Sequence, residues 1–402
     1  MNSNIESLYK IAQKPTRTII GLMSGTSLDG LDVALCEVSD SGKNTKVTLK
    51  EFQTVPYSET IKAEIRKVFA KKTIDFQHLA LLNEWIGNLH ANMVLDCLNE
   101  WNLSPEKVDL IASHGQTVMH APKILHQLTQ FPNATLQIGD GDHIAVRTGI
   151  ITISDFRQKH VAAGGEGAPL AVYGDYFLFG SSEENRVMLN LGGIGNFTFL
   201  PKNQNPEKVF VTDTGTGNTL IDAFVRWHFP DLNFDKDAQL AQLGTVNTDL
   251  LQALKNNSFF QEKFPKTTGP ELFNLDYIHN ALIESETQHL GVEDVLATLT
   301  RFSAETAAEA ILFAINHYNA NLNEFTVYVS GGGIHNPLLM QYLKELLPCS
   351  IKNTTDLGFS ADAKEAILFA ILANETVAGS HTNFGGKKGI PSLCMGKISF
   401  PN

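Results

Sequence analysis

The chain has 402 residues, a length typical of two or three domains. With 43% hydrophobic and 18% charged residues, an extensively disordered protein is excluded. Its 31 basic and 43 acidic residues give a net charge of −12, which disfavours nucleic acid as a partner because non-specific DNA binding depends on basic side chains.

The sequence also bears on location and metal binding. It contains neither an apolar run of about 18 residues nor an N-terminal signal peptide, so we expect no membrane association and a cytoplasmic location. The four cysteines form no CxxC pair and the histidines form no HExxH motif. We therefore expect neither a disulfide framework nor a metal site built from these residues.

The first half of the chain is predicted to be a mixed α/β domain. It begins with a β-hairpin, residues 19–23 and 31–36, whose polar turn contains glycine. A third strand, a long amphipathic helix, a short strand, a helix and another strand are predicted to follow, at residues 46–55, 75–101, 110–113, 138–147 and 150–154.

The second half repeats this order without clear sequence identity. The predicted elements are strands 186–190, 197–200 and 209–212, helix 219–227, a mixed insertion at 230–293, helix 304–318, strand 326–330, a helix from Pro337, a strand near Ser350 and helix 361–374. A duplicated βββαβαβ pattern predicts two similar domains with a cleft between them.

Three glycine-rich turns follow predicted strands, at residues 24–30 (SGTSLDG), 213–218 (DTGTGN) and 330–333 (SGGG). Glycine lets successive backbone amides converge on phosphate oxygens, and a helix N-terminus favours anions. One such turn is weak evidence, because ordinary hairpins also need glycine. Three turns at corresponding places favour a nucleotide cleft, although the Walker motif is absent.

Several polar residues follow the same strands. Asp29 and Asp32 lie at the first hairpin and Asp213 opens the second turn, where a carboxylate could hold Mg²⁺ near phosphates or accept a proton. Each of them could equally cap a turn or a helix. His114 follows a buried strand, and Arg157 follows another and could bind a carboxylate in a bidentate manner.

In their order along the chain, these motifs resemble those of the anhydro-N-acetylmuramic acid kinase family. The matching segments are GLMSGTSLDGLD, SHGQT, LQIGDG, DFR, GGEGAPL, NLGGIGN, DTGTGN, KTTG, GGGIHNPLL and a late glutamate, Glu365. The resemblance extends from about Gly21 to the C-terminus. It departs from the family at Glu166, commonly glutamine, and at Thr216, where proline is usual.

The resemblance implies the actin, Hsp70 and sugar kinase superfold, in which two similar α/β domains flank an ATP cleft. We expect residues 1–180 and 366–402 to form domain I, and residues 181–365 to form domain II. It also implies the reaction: ATP phosphorylates O6 of 1,6-anhydro-N-acetylmuramic acid while water opens the anhydro ring, giving N-acetylmuramate 6-phosphate and ADP in peptidoglycan recycling. A homodimer is also implied.

The resemblance also implies roles for individual residues. Asp213 is expected to be the general base. His114, Gln116 and Glu365 are expected to bind the sugar. The positive charge of Arg157, and not the resemblance, leads us to expect that it faces the lactyl carboxylate. ATP, with Mg²⁺ held mainly through its phosphates, is expected to contact Gly25, Thr26, Ser27, Leu28, Asp29, Gly30, Leu31, Asp32, Gly215, Gly217, Gly331, Gly332 and Gly333.

Two other functions remain open on the residues alone. A different small-molecule kinase of the same superfold would use Asp213 to deprotonate a hydroxyl group directly, without water. A nucleotide-dependent switch would keep the glycine-rich turns but would not need the polar residues His114, Arg157 and Glu365. Those polar residues favour a kinase.

Overall fold

The computed structural model describes residues 1–318, 322–359, 362–387 and 389–402. The strands are β1 (Thr16–Ser24), β2 (Gly30–Ser39), β3 (Lys46–Pro56), β4 (Leu110–Ala121), β5 (Ala134–Ile138), β6 (Thr152–Ser154), β7 (Asn185–Leu191), β8 (Ile194–Leu200), β9 (Phe210–Thr216), β10 (Phe325–Ser330), β11 (Ser350–Asn353) and β12 (Lys397–Ser399).

The helices are α1 (Ser3–Gln13), α2 (Glu59–Arg66), α3 (Phe76–Glu100), α4 (Lys123–His126), α5 (Gly141–Thr148), α6 (Phe156–Ala162), α7 (Ala171–Phe179), α8 (Thr219–His228), α9 (Thr248–Lys255), α10 (Leu275–Glu284), α11 (Val292–His317), α12 (Pro337–Leu346) and α13 (Lys364–Val377). None of these helices combines the length and apolar character that crossing a bilayer requires.

The chain divides into two compact units. Unit 1 comprises Met1–Phe179 and Asp362–Asn402, and unit 2 comprises Gly180–Ala361. Each unit contains one sheet, in which three antiparallel strands that are consecutive in sequence are joined to parallel strands. The predicted α/β class with a duplicated βββαβαβ pattern is confirmed.

In unit 1 the strands lie in the order β12-β6-β4-β1-β2-β3, with β5 paired to β4. Strands β1, β4 and β6 are parallel, and β1, β2 and β3 are antiparallel neighbours. Ile20 and Leu22 of β1 belong to a buried cluster with α3 on one face of the sheet. On the other face, α13 packs against β1, β2 and β4.

Gly21 is the position where α13 approaches β1 most closely. A Cβ atom at this residue would lie 1.9 Å from the carbonyl oxygen of Ala366 and 3.2 Å from the amide nitrogen of Ala370. Both of those atoms belong to the helix backbone, which cannot rotate away as a side chain can. Glycine is therefore required here, and it sets the distance between helix and sheet.

Unit 2 has the strand order β11-β10-β7-β8-β9. Strands β7, β8 and β9 form an antiparallel meander, and β10 runs parallel to both β7 and β11. The long helix α11 covers this sheet with small and apolar residues, among them Ala307 and Ile311. A second buried cluster joins α8, α9, α10 and the first half of α11.

The structure corrects several predicted bounds. The helix predicted at 138–147 begins only at Gly141, because Ile138 ends strand β5, which pairs with β4. The same pairing extends β4 to Ala121, so residues 114–117 lie inside a strand and do not follow one. Helix α11 begins at Val292 and not at residue 304.

Three further differences concern β9, α13 and the N-terminal segment. Strand β9 continues to Thr216, so Asp213 lies within the strand and not after it. The helix predicted at 361–374 begins at Lys364, and Ala361 lies outside the described residues. The N-terminal segment forms helix α1, which the sequence analysis did not predict.

Replacing Gly21 with alanine should lower the free energy of unfolding by about 3 kcal/mol, since overpacking against rigid backbone costs roughly this much. Gly389→Ala is the matched control, because nothing lies within 4 Å of a Cβ atom there. Urea unfolding of the two variants tests this, and equal stabilities would contradict the close approach of α13 to β1.

Candidate active site

The β1–β2 hairpin of unit 1 presents an exposed turn, residues 25–29. The side chains of Thr26, Ser27 and Asp29 are exposed, and Leu28 adopts a φ of 61°, which is uncommon for a residue other than glycine. Leu28 itself is 4% exposed and anchors the turn in the core. The turn therefore presents mainly backbone and short polar side chains to a ligand.

The ends of this turn are fixed by close packing. A Cβ atom at Gly30 would lie 2.3 Å from the carbonyl oxygen of Val55, so only glycine fits where β2 begins beside β3. The side chain of Leu31 is 1% exposed and points into the core. Of the residues predicted to contact ATP in this segment, Leu28 and Leu31 can therefore offer only backbone atoms.

Gln116 is fully buried behind the turn. Its Nε2 donates to the carbonyl oxygens of Gly25 and Thr117, each at 3.1 Å, and its Oε1 accepts a hydrogen bond from Ser24 Oγ at 2.5 Å. The amide of Gln116 is thus engaged with the two residues at the start of the turn.

Asp32 lies just after the turn, on β2. It accepts a hydrogen bond from Thr54 Oγ1 at 2.6 Å. Partial burial is the main reason that its pKa is raised, and the neighbouring carboxylates of Asp362 and Asp29 raise it further, while the bond from Thr54 lowers it. Asp32 is half-buried and Asp29 is exposed beside it.

The structure brings together His114, Arg157 and Glu365 in unit 1. Arg157 Nε donates to His114 Nε2 at 2.8 Å, and Arg157 Nη1 donates to the carbonyl oxygen of Gly167 at 2.6 Å. The His114 ring is 2% exposed and lies against Phe369 of α13, with ring centroids 4.8 Å apart. Arg157 is thereby held in one orientation at the end of β6.

Electrostatics link these three groups. Burial, followed by the positive charge of Arg157, keeps the pKa of His114 well below its usual value, so the imidazole is neutral. The surrounding protein raises the pKa of Glu365 although its side chain retains exposed surface, and Arg157 opposes that shift. Burial likewise lowers the pKa of Arg157, and Glu365 opposes it. A carboxylate and a guanidinium therefore stabilise each other's charges here.

In unit 2, Asp213 is held in the middle of β9. Its Oδ2 accepts a hydrogen bond from the backbone amide of Thr268 at 2.8 Å, and its own amide donates to Lys266 at 3.0 Å. Burial raises the pKa of Asp213 to about 6, the Thr268 amide lowers it, and the charge of Glu271 raises it. Such a carboxylate is ionised near neutral pH and is still basic enough to accept a proton.

Three glycine-rich segments converge in unit 2. The amides of Gly217 and Asn218 donate to the carbonyl oxygens of Gly193 and Gly192, at 2.8 and 2.9 Å. The ideal Cβ position of Gly331 is 2.7 Å from both Asn190 Oδ1 and Leu191 O, so the third segment packs on the same turn. Gly215 belongs to the same segment as Gly217, and Gly332 and Gly333 belong to the same segment as Gly331.

The sequence analysis missed four residues of these sites. Gly192 and Gly193 form the β7–β8 turn, which corresponds in unit 2 to the predicted turn of unit 1, and the motif NLGGIGN could have identified them. Asn218 Nδ2 donates to Leu191 and Gly192, and it closes the DTGTGN motif. Thr268 lies 55 residues after Asp213, so spacing gives no signal for their hydrogen bond.

Glycine-rich turns at strand ends, together with a carboxyl group whose pKa is raised toward neutrality, are features of proteins that bind and transfer phosphoryl groups. A family model described as "Anhydro-N-acetylmuramic acid kinase" matches residues 17–399. The chain belongs to this family.

The relatives agree with this assignment. A protein of Pseudoalteromonas atlantica named "Anhydro-N-acetylmuramic acid kinase" is 55% identical over 100% of both chains. One from Caldanaerobacter subterraneus with the same name is 40% identical over 98% of this chain and 100% of its own. A solved ROK family glucokinase from Streptomyces griseus is 11% identical, with a TM-score of 0.34 over 88% of this chain and 98% of that one, too distant to add to the argument.

The hydrogen bond from Arg157 should fix the tautomer of His114. Because Nε2 accepts from Arg157, the proton of the neutral ring is on Nδ1, and the lowered pKa should keep the ring neutral between pH 8 and 6. Nitrogen NMR of ¹⁵N-histidine protein measures both properties. Arg157→Met should abolish the tautomer preference, whereas Lys397→Met is the control. Titration of wild-type His114 near pH 6.5 would contradict this assignment.

Proposed function

We propose that this chain is an ATP-dependent kinase that converts 1,6-anhydro-N-acetylmuramic acid and water to N-acetylmuramate 6-phosphate, releasing ADP. The observation that carries the proposal is the match of nearly the whole chain to a family of that name. Asp213, with its raised pKa, supplies the base that such a reaction needs. The reaction serves the recycling of peptidoglycan fragments.

The proposed chemistry needs one base. Asp213 takes a proton from water as the water oxygen attacks C1 of the sugar. The C1–O6 bond breaks and its electron pair passes to O6, which attacks the γ-phosphorus of ATP and displaces ADP. Ring opening thus generates the nucleophilic oxygen itself, so O6 requires no second base. The proton on Asp213 then passes to solvent.

The two carboxylate oxygens of Asp213 have different surroundings, which suits the residue to act as a base. Oδ2 is oriented by the Thr268 amide, whereas Oδ1 has no hydrogen-bond partner among the residues that the structure describes. Oδ1 is therefore the oxygen we assign to the attacking water. A base with a pKa of about 6 is ionised at neutral pH and remains a better proton acceptor than an ordinary aspartate.

In unit 1, we assign the turn at residues 25–29 to the ATP phosphates and the Arg157 cluster to the sugar. Arg157 uses one N–H on His114 and one on Gly167, and a guanidinium has five, so three remain for the lactyl carboxylate. His114 positions Arg157. Glu365 can accept hydrogen bonds from sugar hydroxyl or amide groups, and the charge of Arg157 favours its ionised form.

Mg²⁺ fits this arrangement as an ion held mainly by the ATP phosphates. Within the described residues, no three His, Cys, Asp or Glu side chains are close enough together to hold a metal. Mg²⁺ commonly needs only one or two protein carboxylates when phosphates complete its shell, and Asp29 and Asp32 lie beside the turn. The metal would neutralise charge on the phosphates. The expected homodimer and cytoplasmic location stay predictions.

Isotope labelling tests the proposed reaction directly. ADP release should require 1,6-anhydro-N-acetylmuramic acid and magnesium-ATP, and in ¹⁸O-water the phosphorylated product should carry one ¹⁸O atom at C1. Mass spectrometry detects the label, and product formed in ordinary water is the control. ADP release with another sugar and without label would instead support a kinase that deprotonates a hydroxyl group directly.

The pH dependence tests Asp213 as the base. Since Asp213 must be ionised, kcat/KM should fall about tenfold per pH unit below its pKa of about 6 and level off above it. Asp213→Asn should retain ATP and sugar binding and lower turnover by about 10² to 10⁴.

Asp222 provides the matched control, because burial raises its pKa to about 6 as well. Asp222→Asn should keep the wild-type turnover and the same fall in kcat/KM below pH 6. Two results would refute the assignment of Asp213. One is that Asp222→Asn no longer shows the fall in kcat/KM below pH 6, and the other is that turnover in Asp213→Asn decreases by less than about tenfold.

A further inference from the structure

Tyr57 holds both ends of the unit 1 turn. It directly follows β3, and its backbone amide donates to the carbonyl oxygen of Asp29, the last residue of the turn, at 3.0 Å. Its hydroxyl group lies 2.8 Å from Ser24 Oγ, immediately before the turn. The Tyr57 side chain is 3% exposed, so it does not itself meet a ligand from solvent.

A chain of buried hydrogen bonds continues from Tyr57 in both directions. On one side His90 Nε2 lies 2.7 Å from the Tyr57 hydroxyl oxygen, and His90 is completely buried. On the other side Ser24 Oγ donates to Gln116 Oε1, and Gln116 Nε2 donates to the carbonyl oxygen of Gly25. The chain therefore ends on the first residue of the turn.

The direction of every hydrogen bond in this chain is determined. An amide oxygen can only accept, so the Ser24 hydroxyl proton must point at Gln116. Tyr57 must then donate to Ser24, and His90 must donate to Tyr57 from Nε2. Burial lowers the pKa of His90 to about 4 and raises the pKa of Tyr57, so both groups stay neutral. One arrangement of protons therefore serves the three hydrogen bonds that link the four side chains.

The turn itself needs such support. Thr26 and Ser27 are exposed and Leu28 adopts a left-handed conformation, which costs about 1 kcal/mol or more for a residue other than glycine. A phosphate-binding turn that must order on binding loses affinity through the entropy of ordering. Holding Gly25 and Asp29 in place before the ligand arrives avoids that loss.

We propose that Tyr57 is a positioning residue that fixes the turn at residues 25–29 through Ser24 and Asp29, and thereby sets its affinity for nucleotide phosphates. This inference rests on the assignment of the turn to ATP. His90 and Gln116 are the two supports of the Tyr57–Ser24 pair. Gln116 then acts through the turn, because its amide is already engaged with Ser24 and Gly25.

The test compares two tyrosines of unit 1. Tyr57→Phe removes the hydroxyl and leaves His90 without its acceptor. Tyr173→Phe is the matched control, because Tyr173 is 1% exposed and its hydroxyl donates to the carbonyl oxygen of Pro391 at 2.8 Å. Tyr57→Phe loses two buried hydrogen bonds and Tyr173→Phe loses one, so both melting temperatures should fall, and that of Tyr57→Phe should fall further.

Nucleotide affinity should separate the two variants. Calorimetry with ADP and with a non-hydrolysable ATP analogue should show about five- to tenfold weaker binding for Tyr57→Phe and unchanged binding for Tyr173→Phe. In steady-state kinetics the KM for ATP should rise by a similar factor, with kcat and the KM for the sugar changing less than twofold. Unchanged nucleotide binding in a folded Tyr57→Phe protein would overturn the proposal.

Variants of His90 give an independent measurement. Glutamine can supply an N–H donor to the Tyr57 oxygen and leucine cannot, so His90→Gln should retain more nucleotide affinity than His90→Leu. Equal affinity in the two would count against the chain of hydrogen bonds. A wild-type protein that binds neither nucleotide would overturn the assignment of the turn and this inference together. Wild-type binding with an unaffected Tyr57→Phe variant would overturn this inference alone.

Discussion

The contact between α13 and β1 at Gly21 is the constraint on which the unit 1 site depends. Because no side chain separates the helix from the strand at Gly21, α13 packs closely on β1 and also contacts β2 and β4. At one end of the helix, Glu365 and Phe369 reach the Arg157 and His114 cluster. At the other end, Asn374 accepts a hydrogen bond from the buried Arg17 at 2.6 Å. One close approach thus fixes the Glu365 carboxylate, the Phe369 ring and the strand that leads into the turn at residues 25–29.

The groups behind the unit 1 turn and the Asp213 carboxyl group of unit 2 differ in their polar surroundings. Behind the unit 1 turn, His90, Tyr57, Ser24 and Gln116 are all neutral and hydrogen-bonded to one another. In unit 2, Asp213 keeps an ionisable carboxyl group that burial makes more basic and a single backbone amide orients. An anion-binding turn needs rigidity, whereas a general base needs a pKa near the working pH. Each environment meets the requirement of its own group.

The parts of the fold that are encoded locally could be predicted from the sequence. The β1–β2 hairpin, the three glycine-rich segments and the long helix α3 depend on residue patterns within about 25 positions. Strand β4 was predicted too short because its second half pairs with β5, and nothing in residues 114–121 alone reveals that partner. Helix α11 was predicted too short because its first half packs on an insertion of unrecognised structure.

At the candidate site, the limit of prediction from local sequence patterns is clearer still. Asp213, Arg157 and Glu365 could be chosen from motifs, but which groups interact with one another in the folded chain could not. Thr268 orients Asp213 from 55 positions away, and Glu365 affects Arg157 across more than half of the chain. Tyr57 gives no signal in the sequence, since it lies in no motif, and its importance follows only from hydrogen bonds to Ser24 and Asp29.

There is a physical reason why residues that meet a ligand can be predicted from the sequence and residues that position them cannot. Residues that meet a ligand are held in short turns and strand ends, where glycine and aspartate leave recognisable patterns. Residues that position them need only be buried, of the correct size and able to donate or accept one hydrogen bond. Many sequences satisfy that requirement, so a positioning tyrosine resembles an ordinary core tyrosine. Tyr57 and Tyr173 are both buried and both hydrogen-bonded, and what distinguishes Tyr57 is that its bonds reach the ends of the turn.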